Sequence, residues 1–346
     1  MLMRSTLKDI FYNTIYLSGL PYFSRYHLSD SVIILTYHSF TDIIDNELIN
    51  RVPINMFEHQ IAFLKRHYHV LSMSEALKFI KREIQFNEKI KKPKVVITVD
   101  DGFADNYLLM FPVIKKYNVP ATVFISTDFI DTGRPPWPTQ ILEILKHTKA
   151  FYTEYPFKMP LRKKHERDEA ARILKDMFKR FNQEERFRKL EELRNHLKIS
   201  TNYSSAPLIW NQIREMRKSS VEFGTHTVYH SSLTFTDQAD MIAELNESKI
   251  RLEEELNEQC NLFSYPDGDW DENCKLYVQK EGYQAAVTQD KGKNAVNCDP
   301  YTLKRIEVPF NETLRTFACR SSLVSLSTGK FHLRHKWLSR VNNKHA

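Results

Sequence analysis

The chain has 346 residues, of which 42% are hydrophobic and 27% are charged, a mixture typical of a globular protein with a large core. It contains no apolar run near the roughly eighteen residues of a membrane-spanning helix, no glycine-rich nucleotide-binding loop and no C-x-x-C pair. The net charge of +7 is concentrated after Asn311, where seven Lys/Arg accompany one Glu, so we expect a basic tail and no nucleic-acid-binding body.

The first 30 residues are predicted to be helical. Apolar residues recur at helical spacing, including Leu7, Ile10 and Leu17, and define one apolar face. We expect this face to pack against the body, and contact with an anionic membrane surface is the alternative for this face and the basic tail. Charges scattered through the segment are not typical of a secretory signal, so we expect a cytoplasmic protein with reduced cysteines, peripheral to the inner membrane face.

Strand and helix patterns alternate from residue 31 to residue 310. Nearly continuous apolar runs predict buried strands at 31–37, 94–99, 121–126, 221–224, 262–265, 285–287 and 304–308. Amphipathic runs predict helices at 55–68, 74–81, 238–256 and 274–281, with N-caps at Asn55 and Ser74 for the first two. This alternation indicates an α/β protein with a parallel sheet or a (β/α) barrel.

Residues 139–200 interrupt the alternation. They are rich in Lys, Arg and Glu, show helical periodicity and contain no predicted strand. Their apolar positions are too few to close a core alone, so we interpret them as a helical insertion. The predicted organisation is an N-terminal helical segment (1–30), a barrel (31–310) and a basic C-terminal helix or tail (311–346).

Two adjacent carboxylates follow the predicted strand 94–99. Asp100 and Asp101 are expected to point in different directions, because successive side chains alternate along a strand. One carboxylate can then bind a metal while the other faces a substrate. For an isolated pair, an N-cap of the next helix is the simpler alternative.

Two histidines, His226 and His230, follow the predicted strand 221–224. Imidazoles four residues apart can converge on one cation, although the spacing alone is weak evidence in a chain with 13 His. With Asp101 they would form a two-His-one-carboxylate site with open positions for water and a substrate oxygen. A metal in such a site lowers the pKa of bound water and polarises a carbonyl, and Asp100 would then be the general base.

Two more candidate residues follow predicted strands. In the segment FSYPDGDW a proline-initiated turn would hold the backbone N–H of Asp267 outward, toward a developing oxyanion, or would be an ordinary loop. His38 ends the first strand, and a lone histidine is more often structural than catalytic. In a barrel the carboxyl ends of all strands surround one opening, so His38 would face the same cavity.

The segments that carry these residues resemble a known family. VVITVDDGFADNY, EFGTHTVYHSSL and LFSYPDGDW are similar to the three principal motifs of the polysaccharide deacetylases with NodB homology (carbohydrate esterase family 4). ILTYHSF and LKRIEV are similar to a subgroup that includes poly-N-acetylglucosamine deacetylases and cytoplasmic polysaccharide-modifying relatives. The similarity extends from about residue 31 to residue 310 and is interrupted by the insertion.

The resemblance implies a distorted (β/α) barrel of the NodB-homology type and metal-dependent removal of acetyl groups from an N-acetylated polysaccharide or lipid-linked glycan. By matching position, Asp100 would be the general base, and Asp101, His226 and His230 would hold the metal. Zinc is the default ion, and nickel, cobalt or iron would accept the same ligands. An O-acetyl esterase, a cyclic amidase on the same barrel and a catalytically degenerate glycan-binding protein are the alternatives.

The resemblance also assigns the remaining roles. The backbone N–H of Asp267 would stabilise the oxyanion, and His38 would protonate the leaving amine. Ser264 stands where the family often has an Arg that orients the catalytic Asp, and Arg305 is the candidate replacement through a bidentate pair. Asp267 stands where an aromatic residue is usual, and its charge would favour a cationic or amine-bearing sugar or weaken the activity.

Overall fold

The fold is described from a computed structural model that covers residues 2–28, 30–43, 51–86, 92–199 and 203–323. The predicted basic tail therefore lies outside the described residues from position 324 onward. No helix among the described ranges is long and apolar enough to cross a membrane.

Seven parallel strands close into a barrel, as the alternating pattern predicted. They are β1 (Ser31–Tyr37), β5 (Lys94–Asp101), β6 (Ala121–Ile125), β9 (Val221–Thr225), β10 (Leu262–Ser264), β11 (Ala285–Lys291) and β13 (Leu303–Glu307). Each strand pairs with the next in chain order, and β1 closes the ring by pairing with both β5 and β13. The remaining short strands are β2 (Ser39–Thr41), β3 (Arg51–Pro53), β4 (His69–Leu71), β7 (Tyr152–Thr153), β8 (Met159–Pro160) and β12 (Asn294–Ala295).

Helices surround the barrel. They are α1 (Leu2–Leu17), α2 (Leu20–Ser24), α3 (Ile54–His67), α4 (Met73–Ile80), α5 (Phe111–Tyr117), α6 (Thr127–Thr132), α7 (Trp137–His147), α8 (Lys164–Phe178), α9 (Gln183–His196), α10 (Trp210–Arg217), α11 (Gln238–Leu256), α12 (Glu272–Lys280) and α13 (Leu314–Ser322). The two predicted N-caps were wrong. Helix α3 begins after Pro53, and α4 is capped by Ser72, whose hydroxyl accepts from the backbone N–H of Glu75.

The barrel strands are buried on both faces, which explains their nearly continuous apolar sequences. Ile33 and Leu35 of β1 pack in the layer between barrel and helices. Val32 and Ile34, on the opposite face, belong to a second cluster inside the barrel that includes residues of α4. The same alternation directs every second side chain near the carboxyl ends of the strands into the mouth of the barrel.

The segment 139–200 differs from its prediction in two respects. It contains a small antiparallel pair, β7 with β8, where we predicted no strand. It also contributes to a separate apolar core, with Ile141, Leu174 and Leu193 among its buried members, where we expected too few apolar residues to form one. Long side chains on α7, α8 and α9 contribute to this core at helical spacing, so a charged sequence still buries an apolar stripe.

Three residues of the predicted apolar face of the first helix are not covered by the body, contrary to expectation. Side chains on this face, Ile10, Phe11 and Leu17, are 56%, 58% and 73% exposed. Helix α1 instead contacts α13 on another side, where Arg315 donates to the side-chain oxygen of Asn13 at 3.2 Å. Helical periodicity identified an apolar face, but it did not identify which neighbour was available to cover it.

Candidate active site

The predicted site residues come together at the carboxyl ends of the barrel strands. A cavity of about 910 Å³ lies there. Its lining includes His38, Asp100, Asp101, His226, His230 and Asp267. Arg305 lies directly behind Asp100 and is completely buried inside the barrel.

Arg305 and Asp100 form the bidentate pair that the sequence predicted. The Nη1–Oδ1 and Nη2–Oδ2 distances are both 2.7 Å. Arg305 also donates to the Ser264 hydroxyl at 3.1 Å and to the Thr288 carbonyl at 2.8 Å. The guanidinium therefore has protein partners on three sides, which fixes the orientation of the Asp100 carboxylate.

Asp100 is an anion in this environment. Its burial opposes ionisation, but the adjacent Arg305 guanidinium, with smaller contributions from His226 and His38, holds the pKa of Asp100 well below its usual range. The carboxylate is therefore charged at neutral pH without any bound ion.

Asp101, His226 and His230 form the second group. Asp101 Oδ1 lies 3.8 Å from His226 Nε2 and 3.5 Å from His230 Nε2. One donor atom from each residue falls within 4.8 Å of the other two, and all three residues are buried. Among the described residues this is the one cluster of three or more His, Cys, Asp or Glu with the compactness of a metal site.

The protonation of His226 suits a metal ligand. Its Nδ1 lies 2.7 Å from the Ser264 carbonyl, which can only accept, so Nδ1 carries the proton and Nε2 is free toward Asp101. Burial lowers the pKa of His226 to about 4, so the ring is neutral at physiological pH.

A buried oxygen in this cluster has no hydrogen-bond partner. Asp101 Oδ1 is inaccessible to solvent, and no donor within the described ranges reaches it. An unsatisfied carboxylate oxygen between two imidazole nitrogens is costly in a protein interior unless a cation fills the space. The residues present therefore fit a divalent ion with a carboxylate and two imidazole ligands.

The loop that carries the two histidines has an unusual backbone. Thr227 and His230 adopt positive φ angles of 64° and 56°, and Asp101 adopts 79°. Residues held in this region cost of order 1–3 kcal/mol each and persist where neighbouring contacts impose them. Here the buried carboxylate of Glu244 accepts the backbone N–H groups of residues 228 and 229 at 2.7 and 3.1 Å, and Trp137 Nε1 donates to the His230 carbonyl at 2.8 Å.

Asp267 lies at the tip of a tight turn. Its φ and ψ are 57° and 2°, and the N–H groups of Gly268 and Asp269 donate to the carbonyls of Tyr265 and Pro266 at 2.8 and 3.2 Å. Neither bond uses the Asp267 N–H, which the oxyanion prediction requires. A side chain at residue 268 would bring a Cβ within 2.3 Å of the Gln289 backbone, so this position needs glycine.

The carboxylate of Asp267 does not add an uncompensated negative charge. Lys179, which follows α8 in the insertion, forms salt bridges with Asp267 at 3.5 Å and with Asp269 at closer range. Burial alone would lower the pKa of Lys179, but the two carboxylates raise it above its ordinary value. Lys179 of the insertion thus compensates the negative charge of Asp267 in the segment LFSYPDGDW.

His38 lines the cavity on the side of β1. The side-chain amide of Asn106 donates to its backbone carbonyl at 3.0 Å. The structure therefore brings His38 into the same cavity as Asp100, as expected for the end of a barrel strand.

Several residues of the site escaped the sequence analysis. Glu244 and Lys175 lie on helices and Lys179 follows one, and all three look like ordinary charged surface positions in the sequence. Helix α8 forms one wall of the cavity through Lys164, Asp168, Ala171, Arg172 and Lys175. Their recurrence every three or four residues marks one helical face, but sequence periodicity does not show that this face covers the barrel mouth.

Comparisons with known proteins identify the family of this chain. The family model described as polysaccharide deacetylase matches residues 87–286. A Bacillus subtilis (strain 168) protein named as a polysaccharide deacetylase, YxkH, is 25% identical over 276 residues, which cover 80% of this chain and 70% of the relative.

Solved structures of deacetylases share the fold. The Streptococcus pyogenes deacetylase PplD, in complex with acetate, superposes with a TM-score of 0.58 at 19% identity, over 83% of this chain and 96% of that one. IcaB from Ammonifex degensii gives a TM-score of 0.57 at 17% identity, over 85% of this chain and 97% of that one. The de-N-acetylase from Aggregatibacter actinomycetemcomitans gives 0.55 at 17% identity, over 83% and 98%.

Proposed function

Because the chain belongs to the polysaccharide deacetylase family, we propose that it removes N-acetyl groups from an amino-sugar glycan with the help of one divalent metal ion. Membership makes it a hydrolase of amide bonds that acts on an acetylated glycan. One observation carries the finer proposal. A buried carboxylate and two imidazoles lie beside a separate carboxylate that a guanidinium holds in place.

Asp101, His226 and His230 would hold the ion. Three protein ligands are typical of catalytic sites, and zinc is the default for this set, with nickel, cobalt and iron as substitutes. Such an ion lowers the pKa of a water ligand to about 7 and withdraws electron density from a carbonyl in contact with it.

Asp100 would accept the proton of the attacking water. The Arg305 guanidinium keeps it ionised and prevents rotation of the carboxylate, so a proton acceptor is always present and correctly directed. A carboxylate of low pKa holds a proton only weakly, so the proton can pass on to a more basic group later in the reaction.

Asp267 and His38 would complete the hydrolysis. The Asp267 backbone N–H, held by its turn, would donate to the oxyanion that forms when the acetyl carbon becomes tetrahedral. His38, on another wall of the cavity, would give a proton to the sugar nitrogen as the carbon–nitrogen bond breaks. The products are acetate and a free amine on the glycan.

The test combines metal analysis with product analysis. Purified protein is assayed for bound metal, and acetate and free amine are quantified after incubation with N-acetylhexosamine oligomers. We expect equal amounts of acetate and amine. Acetate without amine from O-acetylated glycans would favour the esterase, amine without acetate from a cyclic amide would favour the amidase, and bound metal without turnover would favour the glycan-binding alternative.

We also propose a location at an anionic membrane surface, where lipid-linked glycans are assembled. The apolar side chains of Ile10, Phe11, Leu17 and Phe23 are more than half exposed on the N-terminal helices, and the sequence after residue 311 is basic. In a sedimentation assay at low salt, the protein should pellet with phosphatidylglycerol vesicles, and Phe11→Ser with Phe23→Ser should weaken pelleting. Protein that stays in the supernatant would contradict this location.

A further inference from the structure

The insertion contributes one wall of the substrate cavity. Residues 164, 168, 171, 172 and 175 of α8 lie on one helical face, and all five line the cavity at the barrel mouth. On another side of the helix, Ala170, Leu174 and Phe178 pack into the core of the insertion. A substrate that reaches Asp100 therefore lies beside this face of α8.

Lys175 differs from the other basic residues of this region. Arg172, about one turn earlier, forms salt bridges with Glu169 and Asp176. Lys179, about one turn later, forms salt bridges with Asp267 and Asp269. Lys175 makes no salt bridge or hydrogen bond with any residue in the described part of the chain, although its side chain is only partly exposed. An ammonium group that is largely removed from water needs a counter-ion.

The carboxylates near Lys175 have other partners or other proposed roles. Burial lowers the pKa of Lys175, and the nearby charges of Asp267 and Asp101 oppose that shift. Asp267 is paired with Lys179, and Asp101 belongs to the set that would hold the metal. The remaining acid of the reaction centre, Asp100, is paired with Arg305. Among the described residues, none of these carboxylates therefore forms a salt bridge with Lys175 in the substrate cavity.

We propose that Lys175, on the cavity face of α8, forms a subsite for an acidic group of the glycan, a carboxylate or a phosphate, carried next to the N-acetylated sugar. This inference rests on the proposed function, because it concerns the substrate of the same site. The acidic group is the counter-ion that the protein itself does not supply. Neutral N-acetylated chains are poorer substrates, because their binding leaves the buried ammonium unpaired.

The test compares three substrates of matched length with the full chain. They are a neutral N-acetylglucosamine oligomer, an oligomer that alternates N-acetylglucosamine with uronic acid, and an N-acetylglucosamine oligomer with phosphodiester links. The variants are Lys175→Met and Lys175→Arg, with Lys158→Met as a control at an exposed lysine of the insertion that does not line the cavity. The two acidic substrates distinguish a carboxylate from a phosphate.

We expect wild type and Lys158→Met to prefer one acidic substrate over the neutral oligomer by at least about tenfold in kcat/KM. Lys175→Met should lose this preference through a higher KM, with little change on the neutral oligomer, and Lys175→Arg should keep most of it. Equal losses on neutral and acidic substrates would overturn the subsite, as would a wild-type enzyme with no preference.

A binding measurement separates failure of the subsite from failure of the proposed function. The Asp100→Asn variant, with and without Lys175→Met, is titrated calorimetrically with the same three oligomers. Tighter binding of an acidic oligomer that depends on Lys175 would support the subsite even if no substrate released acetate. The subsite would be overturned if Lys175→Met left the affinity for all three oligomers unchanged.

Discussion

The guanidinium of Arg305 meets the carboxylate of Asp100 edge to edge, with two nitrogen–oxygen distances of 2.7 Å, across 205 residues of sequence. The two residues stand on β13 and β5, on opposite sides of β1 in the ring. Ser264, on β10, is small enough to leave the barrel interior open to the long arginine side chain, and its hydroxyl accepts a hydrogen bond from it. Asp100 is thus paired with an arginine from β13, whereas the resemblance places an arginine at the position of Ser264 on β10.

Arg305→Lys is expected to lower kcat by about tenfold or more and to shift the acidic limb of the pH profile to higher pH. Lysine cannot form the bidentate pair, so the pKa of Asp100 rises toward its ordinary value. Asp100 must be ionised to accept a proton, and activity is therefore lost at a higher pH in the variant. The measurement is kcat/KM from pH 4 to pH 9, with Arg162→Lys as a surface control. An unchanged acidic limb would separate Arg305 from the ionisation of Asp100.

Substitution of the two adjacent aspartates is expected to give different results. Asp101→Asn should reduce metal content, since it removes the charged ligand. Asp100→Asn should keep the metal and lower kcat by about 10²–10⁴, the usual contribution of a general base. Metal analysis, acetate release and circular dichroism of both variants check this prediction. Full activity of Asp100→Asn would show that another group accepts the proton.

Lys179→Met is expected to lower kcat more than it raises KM. The substitution removes the ammonium that contacts both Asp267 and Asp269 and increases the repulsion between their carboxylates, so the turn that presents the Asp267 N–H should change shape. Lys179→Arg should restore most of the activity, because it restores the charge. Steady-state kinetics of both variants, with Lys158→Met as the control, test this. A change confined to KM would assign Lys179 to substrate binding instead.

Asp105→Asn is expected to stabilise the protein at pH 8 but not at pH 4. Burial raises the pKa of Asp105 to about 6 in the folded state, despite hydrogen bonds from Ser39 and Asn106. The unfolded chain ionises near its ordinary value of about 4. The favourable contribution of the protonated form is therefore complete below pH ~4 and is lost as the pH rises toward 6.

Asparagine resembles the protonated acid, so the variant should escape this loss by about 1–2 kcal/mol at pH 8. Thermal unfolding of both proteins from pH 4 to pH 8 measures the difference. Parallel curves for the two proteins would mean that Asp105 titrates at an ordinary pKa.

The most accurate predictions from the sequence concern the strands that are buried on both faces. The barrel strands were found because each is a short apolar run followed by polar residues, as at Asp100 and His226. Since parallel strands place their carboxyl ends on one side, these residues could be expected to meet without any knowledge of distances. The contact between Arg305 and Asp100 was predicted from the resemblance, because Ser264 stands where the family often has an arginine and Arg305 was the candidate replacement.

Features that depend on contacts between distant segments could not be predicted. The exposed face of α1, with Phe11 at its centre, was expected to be buried because periodicity shows a face but not its neighbour. In the sequence, Lys179 is one of many charged residues. Its salt bridges with Asp267 and Asp269 depend on the position of the end of α8 beside their turn, which the sequence does not show. The N-cap at Ser72 was missed because Ser74, two residues later, offers a similar local signal.

The closing strand has a consequence for how fragments of this protein behave. The family model ends at residue 286, before Arg305, and begins after His38. Both residues reach the reaction centre only because β1 is hydrogen-bonded between β5 and β13. A polypeptide trimmed to residues 87–286 would contain Asp101, His226 and His230 but would lack Arg305 and His38, which the proposed function uses to orient the base and to supply the acid. Under the proposed function, catalysis therefore requires the closed ring, in which β1 pairs with both β5 and β13.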